Sequence, residues 1–372
     1  MFTVGVEEEF LLFDPGGQVA PVAAEVVRRG EGRVEPRFMA YQVGTSTRPC
    51  ARLAELRAEL VRQRTLAREA AEQAGARLVS VGLPPFRTGP ARQVRADRRC
   101  LELARRFPGA ADAGGACACR VHVAIPDPQL RIQVLARIRS WLATLLVLSV
   151  NSPICDGVDT GWHSHRYRSQ LHWPTFRPPA AWTRPERYEQ AVRSLVRCGA
   201  ALDRAGVYLL ARLPARYPTI EVRVADAALT VDDALLLAAS VRALAWALAD
   251  DALRGRPITP ASHARIRAGL LSAAQHGAYP PNQRRRDGGM PSLTATHSRL
   301  LAKIWQALEE FGDVAEVTSG LIRLSRRGTG ADRQRAMWAR AADPAGFVGL
   351  LADAVVPQRQ PAYTARRDGR VG

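Results

Sequence analysis

Three consecutive glutamates, Glu7, Glu8 and Glu9, stand inside an otherwise apolar stretch, Thr3-Val-Gly-Val-Glu-Glu-Glu-Phe-Leu-Leu-Phe13. Val4, Val6 and the run from Phe10 to Phe13 mark a buried strand rather than a solvated loop. Side chains alternate along a strand, so Glu7 and Glu9 share one face with Gly5 while Glu8 points to the other. Two like charges about 6–7 Å apart on a buried strand repel each other and lose hydration unless a cation joins them. A divalent ion answers both costs, and Mg²⁺ takes a few carboxylates together with substrate phosphates. The plainer alternative is an edge strand whose carboxylates reach water.

Two later segments carry polar residues in the same manner. Cys119–Ile125 places Arg120, His122 and Ala124 on one face, with Val121, Val123 and Ile125 on the other. Pro218–Val224 places Thr219, Glu221 and Arg223 opposite Ile220, Val222 and Val224. The polar inventory is then Glu7, Glu9 and Glu221 as anions, with Arg120, Arg223 and His122 among them. Carboxylates holding Mg²⁺ beside arginines suit phosphoryl transfer from a nucleotide, because metal and guanidinium both neutralise phosphate charge. No Gly-x-x-x-x-Gly-Lys-Ser/Thr loop and no Gly-x-Gly-x-x-Gly helix opening is present, so metal and sheet side chains would bind the nucleotide. Taken singly, Arg223 is also explained as a salt-bridge partner of Glu221, and His122 as a satisfied, partly buried histidine.

These residues need a sheet with one apolar and one charged face. A further near-strand, Phe38–Val43, leads into Gly44 and Thr45. Helices are predicted at Arg52–Gly75, Gln129–Val150, Arg187–Ala205 and, capped by Thr230, on to about Leu253. Further helices are expected at 260–275, 296–312 and 331–355. The fold class is therefore α+β, an antiparallel sheet with helices packed on one face and the candidate active site on the other. No repeat or linker divides the chain. A single domain is expected over 1–356, followed by a polar tail over 357–372, with Gly277–Pro291 as a long loop able to cover a site.

Composition bounds the partners. The 372 residues are 47% hydrophobic, enough for a substantial core. The apolar run Trp141–Val150 is too short to span a bilayer, and no signal peptide is visible, so a cytoplasmic protein without a membrane is expected. The six cysteines read as reduced thiols rather than a disulfide framework. The net charge of +18 invites a nucleic-acid partner. Yet the arginines are scattered, with local clusters at Arg284–Arg286, Arg323–Arg335 and the tail, and no zinc-finger or RNP-type signature accompanies them.

The opening Thr3–Leu12 resembles that of the type 2 glutamate–cysteine ligases, or carboxylate–amine ligases. Val121-His-Val123, Ile125-Pro-Asp127, Asn151-Ser-Pro153 and Asp159-Thr-Gly-Trp-His-Ser-His-Arg166 agree in order, as do Pro218–Arg223 with Asp226, and Thr230–Ala234. The resemblance runs from about residue 3 to 350. It implies a glutamine-synthetase-like sheet whose concave face binds Mg²⁺ and ATP. It also implies phosphorylation of a carboxylate such as that of glutamate, followed by attack of an amine such as that of cysteine. Carried over, Glu7, Glu9 and Glu221 are metal ligands; Arg223 contacts phosphate or acyl phosphate, and Arg212 phosphate or substrate. Arg120 lies on the cofactor side. Arg166 holds the substrate carboxylate, with His122, Ser164 and Thr160 lining the substrate site. The chain departs from the family pattern at Arg37, Gly44, Arg120, Leu210 and Gln275, losing two carboxylates and gaining an arginine on the site face. Three readings follow: an ATP-dependent ligase, a non-catalytic relative that binds nucleotide or amino acid, and a nucleic-acid-binding protein. Homo-oligomerisation is left open.

Overall fold

The computed structural model describes residues 2–86, 93–112, 114–258, 261–277 and 293–356. The expected loop after Gly277, the Arg284–Arg286 cluster and the tail from 357 lie outside the described residues.

Nine strands are present among the described residues: β1 (Val4–Phe13), β2 (Val34–Pro36), β3 (Gln42–Ser46), β4 (Arg77–Val79), β5 (Cys119–Ala124), β6 (Ile154–Cys155), β7 (Val158–Asp159), β8 (Ala211–Arg212) and β9 (Thr219–Val222). Seven form one sheet in the order β2-β3-β1-β5-β9-β8, with β4 added to the C-terminal half of β1. All its pairings are antiparallel. The glutamate strand is thus central, paired on both sides, which removes the edge-strand explanation of its charges.

The apolar alternation works as the sequence pattern requires. Val4, Val6, Val121, Val123, Ile220 and Val222 are buried in one core with Leu56 and Leu60, Ile132 and Leu135, and Leu235 and Val241 of three helical segments. Glu8 turns into this helix-covered side. There the fully buried Arg64 of the helix Leu53–Gln73 meets it with two parallel hydrogen bonds, Nε to Oε2 at 2.9 Å and Nη2 to Oε1 at 2.6 Å. The remaining Arg64 donors reach the carbonyls of Ala228 at 2.8 Å and Val355 at 2.8 Å.

Several expected elements shift for local reasons. The strand expected at Phe38–Val43 is paired at Gln42–Ser46 instead, because Met39–Gln42 forms a turn (Gln42 N to Met39 O, 3.1 Å). The single helix expected over Gln129–Val150 is an α-helix, Pro128–Ile138, a 3₁₀ turn, Arg139–Trp141, and a second α-helix, Leu142–Ser149. At that join the Ser140 hydroxyl donates to the Arg137 carbonyl (3.1 Å), competing with the helical ladder. By length and composition the 22-residue stretch Pro128–Ser149 could cross a membrane, although its most apolar window is 83% buried inside the protein, as a core element is. The helix expected to reach Ala205 covers only Pro185–Arg197, because Gly199 takes a left-handed φ of 78° just beyond it. The long helix expected over 331–355 is two, Gly330–Arg340 and Pro344–Asp353. Pro344 cannot continue the first, and Asp343 caps the second (Gly346 N to Oδ1, 2.7 Å). A helix at Val314–Arg327 was not anticipated.

Candidate active site

Cross-strand register builds the polar face. Glu7 lies opposite Arg120, Gly5 opposite His122, His122 opposite Glu221, Glu221 opposite Arg212, and Glu9 opposite Gly44. Opposed residues share a face, so these charges are forced into contact. Arg120 forms ion pairs with Glu9 and, at 3.3 Å, with Glu7. Glu221 accepts from Arg212 Nε at 2.6 Å and pairs with Arg223. His122 Nε2 is 3.3 Å from Glu7, and its Nδ1 is 3.2 Å from the Thr219 hydroxyl.

The electrostatics follow from this crowding. Burial alone would raise the Glu7 carboxyl, but the contact with His122 and the charges of Arg120 and Arg37 hold it well below the usual carboxylate range. Burial opposes the Glu221 charge as well, and Arg223 and Arg212 overcome it, taking that carboxyl down to about 2. Arg223 is weakened in the other sense. Burial and the like charge of Arg212 outweigh Glu221 and push its guanidinium down to about 10. A cation destabilised in this way gains from any anion brought beside it.

A cavity of about 350 Å³ opens on this face. Its wall holds Glu9 and seven arginines: Arg120 and Arg212 from the sheet, Arg223 just past β9, Arg37 from the β2–β3 connection, Arg166, and Arg95 and Arg99. Tyr208, Trp173 and Phe176 complete it, and the Arg223 and Arg166 guanidiniums stand 5.6 and 6.0 Å from the Tyr208 and Phe176 ring centres. Arg95 and Arg99 were missed in the sequence; Arg99 lies in the first turn of the short amphipathic helix Arg98–Arg106, and Arg95 just precedes it. Arg99 is held by Asp203 at 2.8 Å.

Glu7, His122 and Glu221 line a neighbouring cavity of about 360 Å³, and Arg212 borders both. The three glutamates assigned to a metal are therefore shared between two cavities, with guanidiniums on each of them. Among the described residues no group of three or more His, Cys, Asp or Glu side chains could hold a metal ion. The donor set does not fit a divalent cation: Glu9 is bound by Arg120 and by the Ala118 amide (2.9 Å), with Arg37 Nε at 3.8 Å, and Glu221 is bound by two arginines. Cys117 and Cys119 are buried free thiols.

Arg166 reaches the cavity through a buried carboxylate. Asp226 accepts from the Asn151 amide (2.9 Å) and the Ser152 hydroxyl (2.7 Å) on one oxygen, and from the Ser164 hydroxyl (2.8 Å) and Arg166 Nη1 (3.5 Å) on the other. Burial raises the Asp226 carboxyl. Ser164 is fully buried, and its oxygen also caps the helix His165–Gln170 by accepting from Tyr167 N at 3.2 Å. Thr160 donates to the Pro153 carbonyl (2.8 Å) and accepts from Trp162 N (3.2 Å). Neither lines the arginine cavity. Both hydroxyls shape the loop that delivers Arg166.

A family model described as glutamate-cysteine ligase family 2 matches residues 3–354. A Salinispora tropica protein provisionally named glutamate–cysteine ligase 2 is 40% identical over 346 residues, covering 90% of this chain and 89% of its own length. A similarly named protein of Saccharopolyspora erythraea is 37% identical over 373 residues, covering 96% and 93%. Two solved structures share the fold at low identity. A bifunctional glutathione synthetase from Pasteurella multocida has a TM-score of 0.70 at 14% identity, covering 95% of this chain, which spans 52% of that one. The glutamate–cysteine ligase of Francisella tularensis, solved with AMP, has a TM-score of 0.65 at 13% identity, covering 94% and 87%. The antiparallel sheet with helices on one side is thus the glutamine-synthetase-like architecture of these ligases. With its whole polar face inside the matched span, the chain belongs to the glutamate–cysteine ligase family 2.

Proposed function

We propose that this protein is an ATP-dependent ligase joining an amino acid carboxylate to an amine, and that the arginine cavity is where the phosphoryl group moves. The observation that carries the reading is the wall of seven arginines around one carboxylate, on the polar face of the sheet. Guanidiniums match phosphate oxygens in charge and in bidentate geometry. Family membership and the AMP bound to the Francisella tularensis enzyme support a nucleotide as the ligand.

In the proposed reaction a carboxylate oxygen attacks the γ-phosphorus of ATP, the bond to the bridging oxygen breaks, and ADP leaves. The amine nitrogen then attacks the acyl carbon of the acyl phosphate, expelling phosphate and losing a proton. Arg223 and Arg212 would neutralise charge on the transferring group. Arg166, fixed by Asp226, would hold the substrate carboxylate, and Arg120 would face the nucleotide phosphates. Glutamate and cysteine are the substrate pair that the relatives' names suggest. Six free cysteines support a reducing, cytoplasmic setting.

A second reading, a binder of nucleotide or amino acid without turnover, is favoured by one observation. Glu9 and Glu221 are already neutralised by arginines of the same chain. One assay separates the two: ATP, a panel of amino acids and hydroxylamine, scored for hydroxamate, since hydroxylamine intercepts an acyl phosphate whatever the natural amine is. Hydroxamate from one carboxylate supports the ligase. Its absence across the panel, with ATP bound, moves the reading to the binder.

A further inference from the structure

The pairing of β1 with β3 puts Gly44 beside Glu9, a position from which a side chain would project onto the polar face. A Cβ on Gly44 would lie 2.2 Å from Arg37 Nε and 2.6 Å from its Cζ. The Arg37 guanidinium therefore fills the volume that a neighbouring side chain would otherwise take. Arg120, one strand further, bridges Glu9 and Glu7. Arg37 Nε and Nη2 and Arg120 Nε are buried without hydrogen-bond partners, so both guanidiniums keep donors in reserve. A divalent ion entering here would meet the combined field of the cavity's seven arginines, whereas a phosphate chain would complement it.

We propose that Arg37 and Arg120 are resident cations standing where a divalent ion would otherwise join the carboxylates of β1, so that the cavity takes a polyphosphate ligand in its metal-free form. The inference rests on the ligand class proposed above and goes beyond it by naming the charge state of that ligand. Gly44 is its structural condition, because any side chain there displaces Arg37.

The test is calorimetric titration of the full chain with ATP and with inorganic tripolyphosphate, in EDTA and in Mg²⁺, with Mn²⁺ alone followed by electron paramagnetic resonance. The expected result is a dissociation constant no tighter in Mg²⁺ than in EDTA, with the free Mn²⁺ signal undiminished by the protein. A dissociation constant about tenfold or more tighter in Mg²⁺, or stoichiometric Mn²⁺ uptake, would overturn the inference and leave the nucleotide reading standing. No binding of either polyphosphate in both buffers overturns the two together. The double variant Arg37→Ala, Gly44→Glu restores a carboxylate beside Glu9 and removes one resident cation. It is expected to take up Mn²⁺ and to bind ATP more tightly in Mg²⁺ than in EDTA, and a folded double variant that does neither counts against the assignment.

Discussion

Replacing Asp226 with asparagine tests the link between the core and the candidate site. Every contact of this carboxylate is a donor: the Asn151 amide and Ser152 hydroxyl on one oxygen, the Ser164 hydroxyl and Arg166 on the other. Asparagine keeps one oxygen and turns an NH₂ group toward two donors, so two of the four contacts fail. Hydrogen bonds to a charged group contribute about 1.5–3 kcal/mol each, which puts the loss on the order of 3–6 kcal/mol. Urea unfolding should show a lower midpoint with the slope unchanged, and Ser152→Ala, which removes the donation to Asp226 and the bond accepted from the Arg166 amide, should show about 2 kcal/mol. In the folded fraction Arg166 loses its anchor, so KM for the carboxylate substrate should rise more than kcat falls. An Asp226→Asn protein within about 1 kcal/mol of the parent would refute the view that this carboxylate fixes the loop and Arg166.

Other perturbations follow from the same physics. Arg64→Met strands Glu8 in the core and should cost about 3–5 kcal/mol, whereas Glu8→Met with Arg64→Met should recover most of it; urea midpoints of the single and double variants decide. Glu221, 2% exposed and lowered from 4.5 to about 2, binds protons more readily unfolded than folded. Its contribution, on the order of 3 kcal/mol, is full above pH 4.5 and is lost as pH falls toward 2. An acid-unfolding profile of Glu221→Gln that matches the parent through that window would contradict this. Arg166→Ala should raise KM for the carboxylate by about tenfold or more with a smaller loss of ATP affinity, and a pure nucleotide defect would reassign it.

The period-two alternation of three short segments was enough to sort Glu7, Glu9, Arg120, His122, Glu221 and Arg223 onto one face and Glu8 onto the other. That rule is local, so it survives ignorance of the rest of the chain. What it could not supply was the company each carboxylate keeps. Arg37 reaches Glu9 from a connection between strands, over a glycine whose importance lies in having no side chain. Arg95 and Arg99 arrive from the start of the short helix Arg98–Arg106 and the residues just before it. Ser164 and Thr160 were read as ligands because they precede Arg166 in a motif, yet a hydroxyl placed two residues before a functional arginine can serve equally as a helix cap. Helix interruptions at Ser140, Gly199 and Pro344 were each written in single residues that the broader apolar periodicity concealed.

The Arg64 guanidinium has a consequence for how the chain reaches this structure. Its partners lie 56, 164 and 291 positions away, at Glu8, Ala228 and Val355. Glu8 and Arg64 meet once the first strands and the helix Leu53–Gln73 are gathered, but the carbonyls arrive only after most of the chain has been collected, with the entropy of those long closures already spent. Until then a strongly hydrated group sits at the centre of an unfinished core, and β1 waits for a partner, β5, more than a hundred residues downstream. Such non-local topology slows folding and leaves strand edges open to other chains. The segment around Val355 therefore acts as a latch of the fold: without it, the buried guanidinium lacks its full set of acceptors.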